Sequence, residues 1–137
     1  MGCDIHMHIE IKLDGRWEHW GAPHISRNYR LFSFLAGARK QPDWPEPISP
    51  PKGLPDNLST VTRFAWEQEK DDGGVNRMSW LNKDEIVRLE NWWLENAPAD
   101  DRALFEVKCL GTYLLGNTFG APKEPIQDVR FVFWFDH

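Results

Sequence analysis

Four residues near the N-terminus combine reactive side chains with a regular spacing: Asp4, His6, His8 and Glu10 occupy alternate positions of the stretch from Cys3 to Leu13. Alternate side chains of a strand point the same way about 6.5 to 7 Å apart, so neighbours in the row can converge on one ion while the outermost two cannot easily share it. The metal expectation is therefore a pair such as His6 and His8, drawn from the set Asp4, His6, His8 and Glu10 and completed from elsewhere. Imidazole nitrogens and carboxylate oxygens suit a divalent ion such as zinc. His19, and Asp136 or His137 at the far end of the chain, are the completing groups.

The same row can work without metal. Histidine titrates near neutrality, and an adjacent carboxylate fixes its tautomer, which makes Asp4, His6 and Asp136 candidate catalytic residues. Such chemistry needs an anchor for an anionic substrate, and Arg27 and Arg130 are the candidates, with Arg30 and Arg39 nearby. The competing reading is an ordinary antiparallel strand with one wet face, which also alternates, and arginines in plain surface ion pairs. Asp is poor in strands and His is not a typical solvent-face residue, which favours a functional face. No G-x-S-x-G, no Gly-rich phosphate loop and no G-x-G-x-x-G stands in the chain. Cys3 falls on the apolar side of the alternation, the place of an inert thiol.

These residues need elements to position them. Asp14-Gly15 is a favoured type I′ hairpin pair, so Arg16 to Trp20 returns against the first strand. A two-residue loop sets Leu13 opposite Arg16, Lys12 opposite Trp17, Glu10 opposite His19 and Ile9 opposite Trp20. Ser26 caps an expected helix from about Arg27 to Ala36, stopped by Gly37. Six prolines between positions 41 and 55 make an extended loop, with Trp44 placed to anchor it or to stack on a ligand. Ser59 to Trp66 reads as a short strand, and Glu67 to Gly74 as a solvated loop without chemistry. Asn82 and Glu85 resemble a capping box opening a helix to Asn96, and Asp100-Asp101 open a further helix toward Gly116. Asp128 to Asp136 is apolar on both faces, the pattern of a central strand. The expected fold is a single α+β domain with a mainly antiparallel sheet, an N-terminal hairpin, a C-terminal central strand and about three helices on one face.

Composition bounds the function. The 137 residues carry 16 Lys plus Arg against 21 Asp plus Glu, a net charge of -5, which argues against duplex DNA as a partner. No stretch has the apolar length of a membrane span, and the opening MGCDIHMHIE lacks the basic start of a signal peptide, so the expected compartment is the cytosol. Cys3 and Cys109 are then two free thiols. Eight Trp against two Tyr mean an aromatic core or an aromatic-lined site, with core filling the commoner use.

The opening MGCDIH, the RNYRLF stretch with LAGAR after it, the PPKGLPDNLS segment, the SWL before a helix and the ending DVRFVFWFD together resemble a group of small phage and prophage proteins of unassigned activity. The likeness spans nearly the whole chain. It implies a bacterial host cytosol and either an enzyme acting on nucleotides or nucleic acid, or a protein that blocks a host system. In that group a histidine-serine pair tends to precede the SWL, where this chain has Asn76-Arg77-Met78. If that histidine completes a site, this protein lacks the activity.

The first functional expectation is a small metal-dependent hydrolase, a phosphoesterase or nucleotide-directed enzyme, taking a phosphorylated or nucleotide ligand. The alternative is a noncatalytic binding protein that inhibits or sequesters a host protein.

Overall fold

The computed structural model describes residues 2–96 and 126–136. The alternating stretch forms strand β1, Asp4–Leu13, and turns at Asp14-Gly15 into β2, Arg16–Gly21. Both turn residues have positive φ, 49° and 74°, as a type I′ hairpin demands. Glu10 meets His19, Lys12 meets Trp17 and Leu13 meets Arg16, as the two-residue loop predicts. Between Ile9 and Glu10 the register slips, so Ile9 meets Gly21 and not Trp20. A bulge of this kind leaves one residue without a partner, here Trp20, which lies on the surface.

Helix α1, Tyr29–Ala36, begins two residues later than expected, because Asn28 and not Ser26 caps it by accepting from the Leu31 N–H. Gly37 ends it in the left-handed conformation at φ 74°. The proline segment forms neither helix nor strand. It is held at its middle, by Ile48 N–H donating to Phe34 O at 2.8 Å, and near its C-terminal end, by Gly53 N–H donating to Met78 O at 2.9 Å.

The expected strand at Ser59 to Trp66 is instead helix α2, Thr60–Glu69. Its Thr-Val-Thr opening has strand propensity, but Ser59 caps it, accepting from the Thr62 N–H, and tertiary packing decides the outcome. Strand β3, Val75–Leu81, was not expected from the sequence. Arg77 at φ 53° and a register shift between Asn76 and Ser79 break the alternation that would have announced it. Helix α3, Lys83–Asn96, opens on the capping box: the Asn82 N–H donates to Glu85 Oε1 at 3.0 Å and the Glu85 N–H donates to Asn82 Oδ1 at 2.9 Å. The helix expected from Asp100 to Gly116, and Cys109 with it, lies outside the described residues.

Strand β4, Asp128–Asp136, is buried from Val129 to Phe135 and runs between β1 and β3. The sheet order is β2-β1-β4-β3, antiparallel throughout, so the two ends of the chain lie side by side, Asp4 against Asp136. This is the expected α+β domain, with three helices among the described residues. One face of the sheet, carrying Ile5, Met7, Ile9, Ile11, Phe131, Phe133 and Phe135, forms the core with Leu31, Phe32 and Leu35 of α1 and Ile86, Leu89 and Trp93 of α3. Among the described residues no helix is long and apolar enough to cross a membrane.

Helices do not keep to that one face. Helix α2 packs across the other, with Trp66 edge-on to Trp134 at 5.1 Å between centroids. What fastens it is an ion pair inside the sheet. Arg130 Nε donates to Glu10 Oε1 at 2.7 Å, and the side chains are 4% and 0% exposed. Glu10 Oε2 accepts from the Ser59 N–H at 2.8 Å, and Arg130 also donates to the Asn57 side chain and carbonyl at 2.9 and 3.0 Å. The pair thereby ties β1, β4 and the entry to α2 together.

Removing one partner of such a pair strands a buried charge. Arg130→Met is expected to lower stability by about 3 to 5 kcal/mol, while Glu10→Leu with Arg130→Met recovers most of that loss. Urea unfolding of the three chains checks both halves, and a double variant no better than the single would contradict the assignment.

Candidate functional site: a histidine cleft at the end of the first strand

Strand register divides the row Asp4, His6, His8, Glu10 into separate environments. Glu10 is committed to Arg130 and Ser59. Burial pushes its carboxyl up, but hydrogen bonding from Ser59 and the charge and hydrogen bonds of Arg130 outweigh that and hold it below the usual carboxylate range. Arg130 is therefore occupied, and its guanidinium also lies 4.0 Å from the centroid of the Trp17 ring. Neither residue faces an incoming ligand as an unspent group.

His8 is buried, stacked on Trp134 at 5.0 Å, and its Nδ1 lies 3.1 Å from Nε2 of His19. One of the two nitrogens must donate and the other accept, so the contact suits a neutral pair. Burial, reinforced by the neighbouring His19, pushes His8 down to about 4. Burial also lowers His19, against an opposing pull from Glu10.

Asp4 lies at the exposed end of the row and is held by Arg27 at 2.8 and 3.1 Å, a two-point contact that lowers its pKa. The Asp4 and Arg27 candidates are thus brought together, but as partners of one another.

His6 is different. Its Nδ1 lies 3.1 Å from Glu69 Oε1 at the end of α2, and its Nε2 lies 3.7 Å from Asp136 Oδ2 on β4. A carboxylate only accepts, so the Glu69 contact favours the proton on Nδ1 and leaves the lone pair on Nε2. Nε2 is buried without a hydrogen-bond partner, and so is the indole Nε1 of Trp134, the residue opposite His6 in the sheet. Beside them a cleft of about 300 Å³ is lined by His6, His8, Ala22, Pro23, His24, Ala65 and Glu69, with Ile5 and Met7. It opens where β2 has ended: the pairing with β2 stops at Ile9, so Asp4 to His8 have no strand on that side among the described residues.

Among the described residues, no three His, Cys, Asp or Glu side chains form a group that could hold a metal ion. Of the expected ligands, the structure brings Asp136 near His6 and sets Glu10 and Asp4 apart in ion pairs; His137 lies outside the described residues. Glu69 was missed from sequence because Glu67 to Gly74 reads as a solvated loop. The available signal was the spacing Thr62, Trp66, Glu69, which lies on one face of a helix. Trp44 is half-buried with Arg30 5.6 Å from its ring centroid, far along the chain from this cleft. Cys3 is a free, buried thiol that burial pushes up, as expected of an inert one. No protein-family model, curated protein or solved structure matches the chain.

His8 gives the site a pH signature. Its folded value of about 4 lies below the ordinary 6.5, so between those values the unfolded chain binds more protons and stability must rise with pH. Acidification from pH 7 to 4 is expected to remove about 3 kcal/mol through this residue, at 1.36 kcal/mol per pH unit. Urea midpoints measured across that range should show the slope in the native chain and a flatter one in His8→Phe; an equal slope in both would contradict it.

Proposed function

We propose that the protein is a small hydrolase in which His6 is the general base. The observation that carries this reading is a single imidazole whose two nitrogens are in different states: Nδ1 against Glu69, Nε2 buried and without a hydrogen-bond partner, in a residue that lines a cleft. A carboxylate that holds the far nitrogen orients the ring and stabilises the imidazolium formed when Nε2 takes a proton from water. Glu69 is the positioning residue and His6 the catalytic one.

Charge around the cleft bears on the substrate. Glu69, Asp136 and Asp4 stand near His6, and Arg27 is already paired, so a phosphoester needs a further cation. Metal enters the proposal at that one place. A divalent ion, zinc in the first instance, would take the Asp136 carboxylate as its protein donor and make a bound water more acidic, leaving the His6 Nε2 lone pair to accept that water's proton. Such an ion would be held weakly, with water as its remaining ligands. The substrate class is then a phosphoester or nucleotide, and the free buried thiol suits a reducing compartment such as a bacterial cytosol.

The alternative reading, a noncatalytic binding protein, draws on Val61 and Phe64, which are 53% and 67% exposed on the outer face of α2.

One experiment separates the two. The chain is assayed on p-nitrophenyl phosphate, bis(p-nitrophenyl) phosphate and nucleoside triphosphates, with zinc or manganese added and with chelator, alongside His6→Ala and Glu69→Gln. Turnover that His6→Ala abolishes, and that Glu69→Gln lowers about 10- to 100-fold, is the expected result. Turnover that survives His6→Ala in a folded chain overturns the proposal, and no turnover on any substrate leaves the binding reading in its place.

A further inference from the structure

A second cleft, of about 490 Å³, lies toward the other end of the same sheet face, walled by Trp17 of β2 and Trp80 of β3 and edged by Asp56, Asn57, Asn82 and Asp128. The hydrolase reading uses none of these residues. Its size is ordinary for a small-molecule site. Four positions of β4 separate Arg130 here from Trp134 beside His6, about 13 Å along a strand, so the two clefts are distinct.

Both indole walls are held before any ligand arrives. Arg130 lies 4.0 Å from the Trp17 centroid and is paired with Glu10; Lys52 lies 4.1 Å from the Trp80 centroid and is paired with Glu85. Each indole thus has a cation of the protein against it, Trp17 also Lys12 at 5.9 Å from its centroid, and a ligand stacks on the ring surface that these leave free. An ammonium ligand has no acceptor for amide donors such as Asn57 and Asn82 at the edge of the cleft.

The edge groups settle the rest of the chemistry. Asn57 Oδ1 accepts from Arg130 and Asn82 Oδ1 accepts from the Glu85 N–H, and among the described residues neither NH2 group has an acceptor, so each is left to donate. Asp128 spends one oxygen on the Val129 N–H, and neither Asp128 nor Asp56 forms an ion pair among the described residues. The cleft therefore offers two amide donors, two carboxylate acceptors and flat apolar walls, and its two carboxylates stand against Lys12 beside Trp17, a negative balance that disfavours phosphates and carboxylates. Hydroxyl groups both donate and accept, and a ring carrying several of them on an apolar C–H face matches that set.

We propose that this cleft is a binding site for a neutral sugar ring, stacked on Trp17 or Trp80 and held through its hydroxyls by Asp56, Asn57, Asn82 and Asp128. The site is independent of His6.

The test is a titration of the full chain with methyl β-glucoside, maltotriose and the N-acetylglucosamine trimer, followed by tryptophan indole NMR signals. Adenosine and tetramethylammonium serve as contrasting probes. At least one sugar is expected to bind saturably at millimolar concentrations or below, moving the Trp17 and Trp80 signals and leaving His6 unmoved. Trp80→Ala and the milder Asp128→Asn should each weaken it about tenfold, with thermal melts showing the chains still folded. No saturable binding of any sugar, binding unchanged in both variants, or binding of adenosine or tetramethylammonium in preference to the sugars would overturn the proposal.

Discussion

The buried pairing of Glu10 with Arg130 is the constraint on which the rest of this molecule depends. Two charges lie inside the sheet, on neighbouring strands whose sequence positions are 120 residues apart. Desolvating them is costly, and their attraction offsets that cost only when the remaining polar atoms are also satisfied. Here Ser59 and Asn57 supply those hydrogen bonds, so the loop leading into α2 is part of the same arrangement. The charge pair thus does more than join β1 to β4. It sets where α2 starts, and hence which face of the sheet that helix covers.

Everything at the other end of α2 follows from this start. Trp66 reaches Trp134, and Glu69 arrives at His6 near the open end of β1. The row of polar residues on β1 is converted from one surface into a gradient: Glu10 and His8 are buried and spent, Asp4 is exposed and paired, and His6 between them keeps an unpartnered nitrogen beside a cleft. Regular spacing in the sequence becomes four different chemical situations because each position meets a different element: Arg27 before α1, Glu69 of α2, His19 of β2 and Arg130 of β4.

Sequence made the framework legible where local chemistry and pattern agreed. Asp14-Gly15 determines a hairpin turn, Asn82 and Glu85 form a reciprocal cap, and the apolar run from Val129 to Phe135 marks a strand covered on both faces. It failed where tertiary contacts overrode local preference. Thr60 to Thr62 favours a strand, yet the Ser59 cap and the Glu10 anchor make it a helix. In β3 the left-handed Arg77 hides the alternation. The site suffered for the same reason: with α2 read as a strand, Glu69 had no place near His6, and the polar face was expected to lie open. The tryptophans divide between the two uses that the composition allows: Trp93 and Trp134 are buried and Trp92 packs against the core, while Trp17 and Trp80 line a cleft.

The central claim concerns one ring, so its most direct test is nitrogen NMR of the imidazoles in the native chain, with Glu69→Gln for comparison. The account predicts that neutral His6 carries its proton on Nδ1 and its lone pair on Nε2, and that this preference weakens in the variant. A His6 protonated on Nε2, with no response to the loss of Glu69, would contradict it.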